Sequence, residues 1–99
     1  MKIRVKDGVI LKEANPWLLV TLQKVMEVGQ EMAYIPTITS LNDGKHMSTS
    51  YHYQNLAVDL RTRDLSPEEQ KEFLRRLKES LGSSYDVILE KDHIHVETK

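Results

Sequence analysis

Hydrophobic positions along the chain alternate between a strand-like period of two and a helix-like period of three to four, and the changes divide it into short elements. Ile3, Val5, Val9, Ile10 and Leu11, around Asp7-Gly8, predict a short hairpin or an edge strand. Asn15-Pro16 opens a helix, with asparagine as cap and proline in the first turn. On that helix Leu18, Leu22, Val25 and Gly29 share a face, Leu19 and Met26 lie beside them, and Trp17 is expected to cover the edge of the core. Residues 36–40 read as a strand, and 41–49, containing Asn42-Asp43-Gly44, as a polar loop carrying His46 and Met47.

From Leu56 to Thr62, Leu56, Val58 and Leu60 alternate with Ala57, Asp59 and Arg61, so a half-buried strand puts the last three on one face. An aspartate in the middle of such a strand is costly unless a cation or hydrogen-bond donors meet it. Ser66-Pro67-Glu68-Glu69 is a strong helix start: a serine cap, a proline after it, and the acid of a capping box three residues on. Phe73, Leu74, Leu77 and Leu81 form that helix's apolar stripe and Gly82 closes it, while Lys71, Arg75, Arg76 and Lys78 are expected to be solvated surface. Residues 85–89 predict a strand, and Ile94 and Val96 belong to another after a turn at Lys91-Asp92. The order predicts an α+β fold, a small and mostly antiparallel sheet packed against two helices.

Ninety-nine residues form a single domain spanning 1–99, with room for one modest core. A net charge of −1 gives no basic excess for nucleic acid, and no acidic tail is present. The chain has no cysteine, so a metal would have to sit on histidine, carboxylate or water. No apolar run approaches the roughly 20 residues of a membrane span. The first residues lack the apolar core of a signal peptide. Synthesis in the cytoplasm as a monomer is expected, with export dependent on another factor.

Two short motifs hold three of the four histidines. Residues 50–59 offer His52 and, seven positions on, Asp59; residues 92–97 offer His93 and His95 between Asp92 and Glu97. A zinc hydrolase site usually takes three protein ligands and keeps a fourth position for water. His52, Asp59 and one of His93 and His95 meet that count at the face of the sheet, with carboxylates left over for proton transfer. The two histidines share a face of their strand, so periodicity does not choose between them. A single histidine near an aspartate is more often a surface hydrogen bond, and the clustering of three beside acids is what favours a metal.

Ser50-x-His52, Ala57 and Asp59, followed by Asp92-x-x-His95, resemble the signature of the zinc D-Ala-D-Ala carboxypeptidases and L-alanyl-D-glutamate endopeptidases. That family includes phage endolysins and vancomycin-resistance dipeptidases, and its fold is shared with the Hedgehog signalling domain. Its pattern is S-x-H-x-x-G-x-A-x-D, with an acid three residues before the last ligand histidine. The likeness covers roughly residues 36–97, and the closing His95-Val96-Glu97 is similar to the ending of the smaller members. Asn55 stands where the family usually has glycine, and asparagine is the residue that best tolerates the same left-handed backbone. Glu90-x-x-His93 fits the acid-x-x-histidine spacing as well, but only His95 is followed by valine and an acid.

The resemblance implies that His52, Asp59 and His95 hold Zn2+ and that Asp92 is the general base. It implies a zinc peptidase cutting a peptide bond of bacterial peptidoglycan, of L-Ala-D-Glu or D-Ala-D-Ala type, acting on the cell wall after release from a cell. Ala57 is small where the backbone must pack closely under the site. His46, Ser50 and Arg61 are candidates to bind substrate, each with a plainer alternative: an exposed loop histidine, a loop-fixing serine, a structural ion pair. Glu97 is a candidate to orient a ligand histidine, and Tyr51 and Tyr53 either wall the cleft or pack inward. Two rival readings stay open: a non-catalytic, zinc-stabilised binding module of the same fold, and a metal-free domain with incidental histidines.

Overall fold

A computed structural model of the chain describes residues 1–10, 16–42 and 56–99. The elements run β1 (Arg4–Val5), α1 (Pro16–Glu31), β2 (Thr37–Asn42), β3 (Ala57–Arg61), α2 (Pro67–Leu81), β4 (Tyr85–Leu89) and β5 (His93–Thr98). The five strands form one sheet in the order β1-β2-β3-β5-β4. Among the described residues the fold is α+β, with two helices and a mixed sheet. The sheet is mixed and not antiparallel throughout: β1 runs parallel to β2, and the other three pairings are antiparallel. The cause lies in the connection. Residues 3–11 form no hairpin among the described residues; β1 is an edge strand that reaches β2 through α1, and a crossover helix returns the chain in the same direction. Backbone bonds from Arg4 N–H to the Pro36 carbonyl (2.8 Å) and from Lys6 N–H to the Ile38 carbonyl (2.9 Å) hold this short edge.

Alternation builds the core. Val58 and Leu60 of β3, Ile94 and Val96 of β5 and Val87 of β4 are buried in one cluster with Leu18, Leu22, Val25 and Val28 of α1 and Phe73, Leu77 and Leu81 of α2. Leu74, expected in the same stripe, is half-buried, and Leu19 and Trp17 are exposed. Trp17 therefore does not cover the core edge; its indole lies 63% exposed in the first turn of α1. Two hydroxyls instead reach into the core from opposite sides: Tyr85 donates to Thr21 Oγ1 (2.7 Å), which donates in turn to the Trp17 carbonyl (2.7 Å). Both polar groups are paired, so their burial costs little.

Gly29 marks the closest approach of α1 to the start of β2. A Cβ there would lie 2.6 Å from both Pro36 Cδ and the Tyr34 carbonyl oxygen, so no larger residue fits without a shift. The α2 start is as the sequence predicts. Glu69 N–H donates to Ser66 Oγ (3.1 Å), Ser66 N–H donates to Glu69 Oε1 (2.9 Å), and Gly82, at φ 79°, ends the helix with its N–H on the Lys78 carbonyl. The basic run on α2 is only partly free surface. Arg75 pairs with Glu72 and Glu79, and Arg76 bonds Glu72 (2.8 Å) and reaches Glu31 of α1 (2.7 Å), tying the two helices together. Such exposed pairs add little to stability. No helix among the described residues is long and apolar enough to cross a membrane.

Candidate metal centre on the open face of the sheet

Residues that alternate with the core positions project from the other side of the sheet. On β3 these are Ala57, Asp59 and Arg61, and on β5 they are His93, His95 and Glu97, all half-buried. Register sets them opposite one another: Ala57 faces Glu97, Asp59 faces His95, and Arg61 faces His93. The row through Asp59 and His95 continues to Ser40 on β2 and Ile88 on β4. A β-bulge helps place Asp59. The register of β2 shifts between Ile38 and Ser40, so Ile38 pairs with Leu60 while Ser40 pairs with Asp59, and the Thr39 hydroxyl donates to the Asp59 carbonyl (3.3 Å). At the other end, Leu56 and Thr98 clamp β3 to β5: Leu56 N–H donates to Thr98 Oγ1 and Thr98 N–H to the Leu56 carbonyl, each at 2.9 Å.

The side chains meet along a line of alternating acids and imidazoles. His95 Nδ1 lies 2.7 Å from Asp59 Oδ1, and His95 Nε2 lies 3.5 Å from Glu97 Oε1. His93 Nε2 approaches the same Asp59 oxygen at 3.8 Å, and His93 Nδ1 lies 2.6 Å from Asp92 Oδ1. The Asp59 carboxylate, hydrogen-bonded to His95, raises that imidazole's pKa above its ordinary value, and Glu97 adds to the effect against partial burial. His93 has the converse influence on Asp92, holding its carboxyl below the usual carboxylate range. Asp59 and His95 keep 25% and 30% of their side chains exposed, whereas Asp92, in the turn before β5, is 78% exposed.

Two of the three expected zinc ligands are thus neighbours on adjacent strands. His52, the third, and the substrate candidates His46 and Ser50 lie outside the described residues. Among the described residues no group of three or more histidines and acids is arranged to hold a metal, so a zinc site at the sheet face is not shown. One imidazole nitrogen and one carboxylate oxygen, carried on paired strands and partly open to solvent, do fit in type: they lack one protein donor of an open zinc centre. Asp92 bonds His93, the residue considered as an alternative ligand; the Asp-His dipeptide at the head of a strand was the available signal for that contact. Among the described residues Arg61 makes no ion pair. Its carbonyl accepts from the Tyr34 phenol (3.3 Å), which also donates to Asp64 Oδ1 (2.8 Å). Burial, and then Asp64, push the Tyr34 pKa far above its ordinary value, so this anchor at the end of β3 stays protonated.

No protein-family model, curated protein or solved structure matches the chain.

Proposed function

We propose that the protein is a zinc metallopeptidase that hydrolyses a peptide bond of bacterial peptidoglycan, of L-Ala-D-Glu or D-Ala-D-Ala type. The observation that carries the metal part is the cross-strand contact of Asp59 with His95 on the open face of the sheet. It supports the choice of His95 over His93, because His95 stands directly opposite Asp59 while His93 is offset and engaged with Asp92. The cell-wall substrate rests on the resemblance of residues 50–59 and 92–97 to the carboxypeptidase and endopeptidase signature.

In this reading Asp59, His95 and His52 hold the ion. Zinc, when bound, supplies Lewis acidity that brings water's pKa from 15.7 towards about 7 and polarises a carbonyl. The Asp92 carboxylate, outside the ligand set, accepts a proton from the attacking water and returns it to the leaving amine. As an aspartate it is ionised, and therefore able to accept, at neutral pH. In the same reading Arg61, on the same side of β3 as Asp59, binds a substrate carboxylate.

One observation favours the rival reading, a zinc-stabilised binding module: Asp92 is widely exposed and its carboxylate is already occupied by His93. Release of fragments from purified peptidoglycan and short muropeptides, compared between wild type and Asp92→Asn, separates the two. The peptidase reading expects cleavage by the wild type and a loss of about 10²–10⁴-fold in the variant with zinc retained. A binding module shows no cleavage in either protein and unchanged retention on peptidoglycan.

A further inference from the structure

We infer that His93 is a positioning residue: its imidazole fixes the Asp92 carboxylate against the open face of the sheet. The inference rests on the peptidase reading above and assigns His93 a place in it other than that of a ligand.

Asp92 sits in the turn between β4 and β5 with its side chain largely in solvent. A carboxylate in that situation samples several rotamers, whereas a general base works only when held at one place relative to the proton it takes. His93 is the first residue of β5 and is secured by its backbone. It pairs in register with Arg61, and its carbonyl accepts from Glu90 N–H at 2.8 Å. The Asp92 carbonyl accepts from Thr62 N–H at 3.4 Å, which draws the turn onto the end of β3. From this anchored position the His93 ring spans two carboxylates, with Nδ1 2.6 Å from Asp92 and Nε2 3.8 Å from Asp59. The ring therefore lies between the exposed acid, which it hydrogen-bonds, and the ligand acid, which it only approaches. A strand-borne side chain is a more exact support than a turn, and residues that support a reacting group this way typically change activity by about 10–100-fold when removed.

The ring's geometry also specifies its conservative replacement. Asparagine offers an N–H near the position of imidazole Nδ1, whereas phenylalanine keeps the bulk and offers none. His93→Phe is expected to lower kcat by about 10–100-fold at similar KM while keeping the wild-type zinc content, and His93→Asn to recover most of that loss. Because His93 acts only through Asp92, Asp92→Ala and the Asp92→Ala/His93→Phe double variant should be equally slow. A second readout needs no metal: nitrogen NMR of the chelator-treated protein should show His93 with its proton on Nδ1, and that preference should disappear in Asp92→Ala. Wild-type turnover in His93→Phe, or a loss fully additive to that of Asp92→Ala, overturns the positioning role and leaves the peptidase reading intact. Loss of zinc in His93→Phe makes His93 a ligand and also overturns the role. A wild type that cleaves no muropeptide removes the peptidase reading, and with it the role; the NMR result then reports only a structural pair.

Discussion

The two faces of the sheet are made from the same strands and differ in almost every other respect. On β3 and β5, Val58, Leu60, Ile94 and Val96 point one way and are nearly inaccessible, while Asp59, Arg61, His93, His95 and Glu97 point the other way and stay half-exposed. The first set is covered by the stripes of α1 and α2, and its side chains are interchangeable hydrophobes whose task is to exclude water. The second set contains acids and imidazoles in contact, none of them needed to fill volume. Five residues of β3 and six of β5 thus carry both the cohesion of the domain and its candidate chemistry, kept apart only by the alternation of the strand. Changes on the covered face should act on stability, and changes on the open face on metal and turnover.

The largest effect on stability is expected at the centre of the covered face. Phe73 is fully buried and meets Tyr34 edge-on, with ring centroids 5.5 Å apart. Phe73→Ala should cost about 3–5 kcal/mol in urea unfolding, through lost burial and the cavity left behind. A cost below about 1 kcal/mol would mean that this region is not the core.

Asp59→Asn is the counterpart on the open face. Asparagine keeps an acceptor oxygen for His95, so stability should change by about 1 kcal/mol or less in the metal-free protein. Zinc retention should nevertheless fall sharply, because a carboxylate donor is gone. If Asp59→Asn instead unfolds the domain, the two faces are not separable in the way proposed.

Ser66→Ala lies away from both faces and removes half of the α2 capping box; it should lower stability by about 1 kcal/mol and leave zinc content unchanged.

The smallest effect is in the pH dependence of the metal-free protein. The folded-state pKa of His95 is raised, chiefly by Asp59, above the unfolded value of about 6.5. The stability this pair adds is therefore fully present below about pH 6.5 and is lost as pH rises through the higher folded value. The difference in urea midpoint between wild type and Asp59→Asn should shrink as pH rises above about 6.5. A difference that widens across that range would mean that Asp59 does not stabilise the charged imidazole.

What was legible in the sequence follows the same division. The α2 boundaries were readable because Ser66, Pro67, Glu69 and Gly82 are local signals that need no partner. The β3 faces were readable because strict alternation assigns them. The parallel pairing of β1 was not, since Ile3 and Val5 say only that a strand is there and its direction is set by the α1 crossover. Nor was the spacing of Ile38 and Leu41 informative by itself. Both face the core because the bulge at Thr39 breaks the alternation of β2. Trp17 misled for a different reason: a large apolar residue in a first helical turn implies burial only when something lies over it, and the core is closed there by the Thr21–Tyr85 hydroxyl pair. For the candidate site, the spacing of Asp59 and of His93-x-His95 put acid and imidazoles on chosen faces, and pairing of β3 with β5 brought those faces together. Periodicity did not choose between His93 and His95; the valine and acid after His95 favoured it, and the register, which lies between strands, sets it opposite Asp59.

Zinc content by elemental analysis, on protein purified without a histidine tag, is the measurement to make beside His52→Ala, Asp59→Asn and His95→Ala. About one zinc per chain in the wild type, lost in all three variants and retained in His93→Phe, is the expected result. A wild type that carries no metal, and whose melting temperature does not move on adding zinc, would show that the acids and imidazoles of the open face hold only each other.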